Sequence, residues 1–335
     1  MECLSLLLIT NYCKYLPVLF LAFCSSIFSQ VKFQKFESGR ENLDAVVRIG
    51  VVVEQAAKGT ISLETREYFK VLKKTVILGN KLIGITPVPL NAFVRSRIKF
   101  NQLSNVEKIA FITSLVEEDL KNVNAVVIPG DDFNFPAMRA NQDPLTELLN
   151  YQGTKENHDE ETIYGMTARE FNKFFPNHHL NPYPDSLLYE AILIKALSGT
   201  SMPILSACHG TMMFGFLRGA RFRAGIKGHL NHNTRNTKTL PGSKAARMLG
   251  SFDTMTKHYH GMAMLKKNFP KSLIVSGWEG ELVEILEDPQ NPYYIGFQGH
   301  PELTPEHPAL NFLIQNAIRM AERGLLLSEA FSHSK

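Results

Sequence analysis

Val46-Val47-Arg48-Ile49-Gly50-Val51-Val52-Val53 is an almost unbroken run of β-branched apolar residues. A strand with one face in water alternates apolar and polar side chains, so a continuous run marks a strand covered on both faces. Such a strand needs helices above and below it, which narrows the fold to α/β classes with a largely parallel sheet. The rest of the chain keeps to that plan. Leu82–Leu90, Val123–Pro129 and Pro203–Ala207 read as further strands, and Leu63–Lys74, Val106–Leu120 and His209–Leu217 read as helices. Asp143–Tyr151 and Asp185–Leu197 are also predicted helices, with Asp143 and Asp185 as their N-caps. Leu273–Trp278, Glu281–Glu287 and Tyr294–Gln298 follow as successive strands, with turns at Glu279-Gly280 and Asp288–Pro292, before an amphipathic helix over Pro308–Arg323.

The first thirty residues differ in character. Only Glu2 and Lys14 are charged, and the densest apolar run is Tyr15–Phe23, followed by Ser25, Ser26 and Ser29. Residues 1–30 therefore read as a signal peptide or N-terminal hydrophobic segment, and residues 31–45 as a polar connector. The expected location is secreted or periplasmic, with membrane anchoring as the alternative. Residues 46–325 form one continuous series of elements, expected to be a single domain with an insertion at 152–184 that is polar and rich in Asn, His and Pro. Cys3, Cys13 and Cys24 lie in the leader, so the mature chain would retain Cys208 alone. A lone thiol cannot form an internal disulfide.

Three segments carry chemistry. In Ile204-Leu205-Ser206-Ala207-Cys208-His209-Gly210 a buried strand runs straight into a helix, with a cysteine between small residues at the junction. That is the pattern of a nucleophile elbow, and the helix N-terminus favours a thiolate there. A buried structural cysteine is the alternative. In Tyr294–Phe297 followed by Gln298-Gly299-His300-Pro301-Glu302, a strand end aims His300, and Glu302 can accept from its other ring nitrogen. Val126-Val127-Ile128-Pro129-Gly130-Asp131 ends a strand in a glycine turn, and the N–H groups of Asp131 and His209 are candidate oxyanion donors.

In this order and spacing the segments resemble the class I glutamine amidotransferase-like superfamily, and within it the γ-glutamyl hydrolases and γ-glutamyl-GABA hydrolases. Val275–Glu284 is similar to the run that precedes the catalytic His-Pro-Glu of those enzymes, and Lys257-His258-Tyr259-His260-Gly261 to the segment supplying a substrate-site histidine, here His260. The resemblance covers roughly residues 49–323. It implies an α/β flavodoxin-like three-layer sandwich, a Cys208–His300–Glu302 triad, substrate contacts at Gly130, His260 and Gln298, and a small γ-glutamyl substrate. No cofactor is implied, and a homodimer is an allowed assembly. Three positions depart from the family pattern. Ser206 stands for a glycine, Gly299 for a tryptophan and Asp131 for a second glycine. Gly299 is expected to open space beside His300, and Asp131 to alter the oxyanion loop. A catalytically silent binding module is the reading those departures would favour. A hydrolase is expected over an ammonia-delivering amidotransferase, since no synthase domain follows and an exported enzyme would lack a cytosolic acceptor.

The net charge of +4 is too mild to imply a nucleic-acid partner. Pro203–Phe252 contains no acid but holds Arg218, Arg221, Arg223, Lys227, Arg235, Lys238, Lys244 and Arg247, either a solvated face or an attractor for glutamyl carboxylates. No aromatic interleaving accompanies it, so nucleic acid is not expected. His229 with His232, and His258 with His260, have chelating spacing, but no carboxylate stands nearby in sequence and no metal is expected.

Overall fold

A computed structural model of the protein describes residues 45–53, 62–78, 81–90, 105–130, 162–163, 166–167, 184–231, 233–304 and 306–323. The leader, the connector up to residue 44, Asp131, the helix expected over Asp143–Tyr151 and nearly all of the 152–184 insertion lie outside these residues. The chain divides into two units. Met1–Asn42 with Phe93–Ile98 is wholly outside the described residues, and Leu43–Ala92 with Lys99–Lys335 holds every element below.

β1 (Ala45–Val52) runs parallel to β3 (Lys81–Leu90) on one side and to β4 (Ala125–Ile128) on the other. β4 is parallel to β7 (Ile204–Ala207), and β7 to β14 (Tyr294–Phe297). The five runs with the most continuous apolar character therefore make the parallel core of the sheet, in the order β3-β1-β4-β7-β14. Antiparallel strands extend it on both sides. β2 (Lys74–Leu78) joins β3. On the far side come β13 (Leu282–Glu287), β12 (Ile274–Glu279), β9 (Thr237–Thr239) and β10 (Phe252–Asp253), while β11 (Met262–Leu265) pairs with β13 and with β8 (Phe222–Ala224). Short strands β5 (Thr162–Ile163) and β6 (Met166–Thr167) pair within the insertion.

Alternate side chains of each core strand go to opposite helical layers. Val47, Ile49, Val51, Ile85, Val127, Leu205 and Phe297 share one face with Tyr68 and Leu72 of α1 (Leu63–Leu72) and Leu310, Leu313 and Ile314 of α6 (Pro308–Glu322). On the other face α4 (His209–Phe216) packs Phe214 on Tyr294, ring centroids 4.2 Å apart. Beyond it α3 (Pro184–Leu197) is tied to α2 (Asn105–Leu120) by Tyr189 Oη–H donating to Asp119 Oδ2 at 2.5 Å. The result is an α/β three-layer sandwich whose sheet is parallel in its core. α5 (Lys244–Leu249) covers the β9–β12 side.

Two local expectations are corrected. α1 stops at Leu72, and Lys74–Leu78 turns back as a strand because Thr75, Val76 and Ile77 are β-branched and can pair with β3. α3 begins at Pro184, whose fixed φ suits the first helical position, so Asp185 lies inside the first turn instead of capping it. Among the described residues no helix is long and apolar enough to cross a membrane.

Candidate active site

β7 ends at Ala207 and α4 starts at His209, which leaves Cys208 alone to turn the chain. It does so at φ 44°, a left-handed conformation that costs a non-glycine residue about 1–3 kcal/mol. The surroundings hold it there: Cys208 N–H donates to Phe297 O at 2.8 Å, and Gly210 N–H donates to Pro129 O at 3.2 Å. Gly210 must be glycine, since a Cβ there would lie 2.5 Å from Ile128 O. Ser206, the departure from the family glycine, has a structural account. Its Oγ hydrogen-bonds Thr211 Oγ1 at 2.8 Å and Tyr294 Oη at 3.1 Å, and it fits because Gly296 opposite has no side chain.

His300 follows β14, the strand next to β7. Its N–H donates to Lys257 O at 2.7 Å, and its Nδ1 lies 2.7 Å from Glu302 Oε1. His300 and Glu302 are 2% and 1% exposed, so this ion pair is shielded from solvent and salt. Burial opposes the imidazolium, but the Glu302 carboxylate and then Cys208 hold the ring pKa well above the ordinary histidine range. His300 Nε2 has no hydrogen-bond partner among the described residues. It is the nitrogen left to serve a reacting group.

Gly130, at the end of β4, brings these parts together. A Cβ on it would sit 2.8 Å from His300 Cε1 and 2.9 Å from Cys208 Cβ, so both side chains border the same small space. Gly130→Ala would wedge a methyl group between them. The expected outcome is a loss of about 10²-fold in kcat with an unchanged circular dichroism spectrum, measured on any substrate the wild type turns over.

The remaining predicted positions divide. His209 opens α4, and its main-chain N–H is one of the first-turn amides with no intrahelical acceptor. Its ring turns away into a buried pair with Glu190 of α3, Nε2 to Oε2 2.8 Å. Gln298 is fully buried, with neither amide atom hydrogen-bonded among the described residues. His260 is buried in a cluster with His229, His258 and Glu284. The expectation that Gly299 opens space beside His300 is corrected: a Cβ there would meet Thr256 Cγ2 at 2.5 Å and Lys257 O at 2.7 Å, so the Thr256 side chain and the Lys257 backbone fill the gap. The expectation that histidine pairs lack a carboxylate is corrected too, because β13 delivers Glu284. Burial opposes the charge of Glu284, yet His260 and His258 hold its carboxyl down to about 2. Half of the basic run, Arg218, Arg223, Arg235 and Lys244, faces a carboxylate. Arg235 grips Glu279 with two nitrogens, Arg218 faces Asp288 at 3.6 Å, and Arg223 faces Glu281 at 3.3 Å.

Sequence reasoning missed Tyr68. It is fully buried on α1 against Glu302, and burial first, then the Glu302 charge, push its phenol well above the usual tyrosine range. It stays protonated beside the carboxylate that orients His300. A second supporting chain runs from Asp253 through Thr256 to His307. Thr256 Oγ1–H donates to Asp253 Oδ2. His307 Nδ1 accepts from Ala309 N–H, which leaves Nε2–H to donate to Thr256 Oγ1 at 2.9 Å. This chain anchors the segment whose Lys257 carbonyl holds His300.

Residues 182–320 match the family model for glutamine amidotransferase class-I, a span that includes Cys208, His300 and Glu302. Over this span, which is less than half of the chain, the protein is similar to class I glutamine amidotransferases. Two curated relatives are CTP synthases, one from Pyrobaculum calidifontis, 31% identical over 108 residues, and one from Azospirillum brasilense, 33% identical over 105 residues. Each match covers 29% of this chain, and the chain spans only 20% and 19% of their respective lengths. Among solved structures, a glutamine amidotransferase from Thermotoga maritima is 14% identical with a TM-score of 0.40, covering 85% of this chain and 90% of that one. Gly130, which borders Cys208 and His300, and Tyr68, which borders Glu302, lie outside the matched span.

Proposed function

We propose that the protein is a cysteine hydrolase of γ-glutamyl amides that works through a thioester on Cys208. The observation that carries this reading is the strained elbow cysteine beside an imidazole whose far nitrogen is fixed by a buried carboxylate. The Cys208 thiolate attacks the γ-carbonyl carbon, forming the C–S bond and an oxyanion that the His209 N–H, with the Asp131 N–H expected from sequence, would receive. The C–N bond then breaks, and His300 Nε2–H gives its proton to the departing amine. Water attacks the thioester, His300 takes up its proton, and cleavage of the C–S bond returns glutamate and the thiolate. The raised His300 pKa supports this cycle because the proton needed by the leaving amine is retained at neutral pH.

A second reading is favoured by the CTP synthase matches: the same triad splitting glutamine, itself a γ-glutamyl amide, and delivering ammonia to a partner. The purified chain is assayed alone against γ-glutamyl amines and against glutamine. Hydrolysis of the substituted amines without a partner is the expected result. Cleavage confined to glutamine and dependent on a synthase would favour the second reading, and inertness toward both would leave a silent binding module.

A further inference from the structure

Beyond the triad, the described residues contain one other dense group of metal-ligating side chains. His229 follows β8, His258 and His260 precede β11, and Glu284 sits on β13. All four are buried, and one donor atom from each lies within 4.8 Å of the others. The separations are specific. His260 Nε2 is 3.1 Å from His229 Nδ1, 3.2 Å from His258 Nδ1 and 3.5 Å from Glu284 Oε2, while Glu284 Oε2 is 3.3 Å from His258 Nδ1 and Glu284 Oε1 is 3.7 Å from His229 Nδ1. Zinc with bonds of about 2.0–2.1 Å places tetrahedral ligand atoms about 3.3 Å apart.

His260 Nδ1 lies 3.1 Å from Met262 O, a pure acceptor, so Nδ1 carries the hydrogen and Nε2 offers its lone pair inward. His229 Nε2 lies 3.4 Å from a Glu279 oxygen, and its Nδ1 faces inward. His229 Nδ1 and His260 Nε2 therefore meet at 3.1 Å beside Glu284, which is 2% exposed and has neither oxygen hydrogen-bonded among the described residues. Hydrogen bonding within the cluster links the histidines but leaves both Glu284 oxygens without a partner among the described residues, whereas a central cation engages all four side chains at once. The contacts outside the cluster, from Met262 O and from a Glu279 held by Arg235, are those that fix tautomer and ring orientation around a bound metal.

We propose that His229, His258, His260 and Glu284 bind one divalent cation of the zinc class in a closed, tetrahedral, structural site. Three imidazoles and one carboxylate suit zinc, whereas magnesium and calcium prefer all-oxygen shells. A way in exists, since an open pocket of about 670 Å³ is lined by His229, Glu279, Arg223 and Lys227. The ion would clamp the chain after β8 and the 256–262 segment onto β13. Lys257, next to His258, supplies the carbonyl that holds His300, so the clamp adjoins the triad without belonging to it. The site stands whatever amide the triad cleaves.

Untagged full-length protein, saturated with zinc and dialysed, is expected to hold one zinc per chain by elemental analysis. Chelation should lower Tm by on the order of 5–10 °C, with recovery on adding zinc back. Cobalt replacing zinc should give the intense visible bands of tetrahedral coordination, absent in Glu284→Gln. Folded wild-type protein that retains substoichiometric zinc and shows no Tm response to it overturns the proposal without recourse to any variant. Zinc retained by Glu284→Gln and His258→Gln as tightly as by the wild type would place the ion elsewhere and overturn it equally.

Discussion

Cys208→Ala should abolish hydrolysis of γ-glutamyl amides, with a loss of at least about 10⁴-fold in kcat/KM. The size follows from the role: without sulfur no thioester forms, and what remains is binding and oxyanion stabilisation around an uncatalysed water attack. The fold should survive. Leu205 and Ile204 stay buried in the parallel core, and each such side chain contributes about 1.5–3 kcal/mol, more than the loss of one sulfur atom from a site that is already strained. Steady-state kinetics and a thermal melt on the same preparation separate the two effects. Wild-type turnover in this variant would remove Cys208 from the mechanism.

Glu302→Gln should be the next most damaging change, at about 10³–10⁴-fold in kcat/KM, because the His300 tautomer and the imidazolium both depend on that carboxylate. It also has a pH signature. Burial alone lowers the His300 pKa, and the Glu302 charge leads the opposing effects. In the wild type the proton-donating form of His300 should persist to high pH, with the alkaline limb of kcat/KM well above an ordinary histidine titration. In Glu302→Gln that limb should move to lower pH, since burial is then less opposed. A pH–rate profile of both proteins checks the sign. An unmoved limb would mean that the carboxylate does not govern the ring.

Strands β1, β3, β4, β7 and β14 were legible because burial on both faces leaves no polar alternation, and that alone places them at the centre of the sheet. β2 was not, since Lys74–Leu78 follows a helix without a glycine or proline to announce the turn. The juxtaposition of Cys208 with His300 was legible as two strand ends in one sheet, but Tyr68 was not, because nothing local marks a tyrosine on an amphipathic helix as a neighbour of Glu302. Glu284 was missed for a related reason. Within Leu282–Glu287 it reads as the polar residue of a half-exposed strand, and only β11 and the loop after β8, closing over it, turn its position into the interior. Sequence spacing finds ligands on one element and is blind to those that antiparallel pairing supplies from afar.

The proposed reaction stands on a covalent γ-glutamyl–Cys208 thioester, and acid-quenched mass spectrometry reads it directly. The wild-type protein is mixed with γ-glutamyl p-nitroanilide and quenched during the first turnover. A burst of p-nitroaniline is expected, together with one glutamyl residue added to the peptide that carries Cys208. Release of p-nitroaniline with that peptide unmodified, or no release at all, would contradict it.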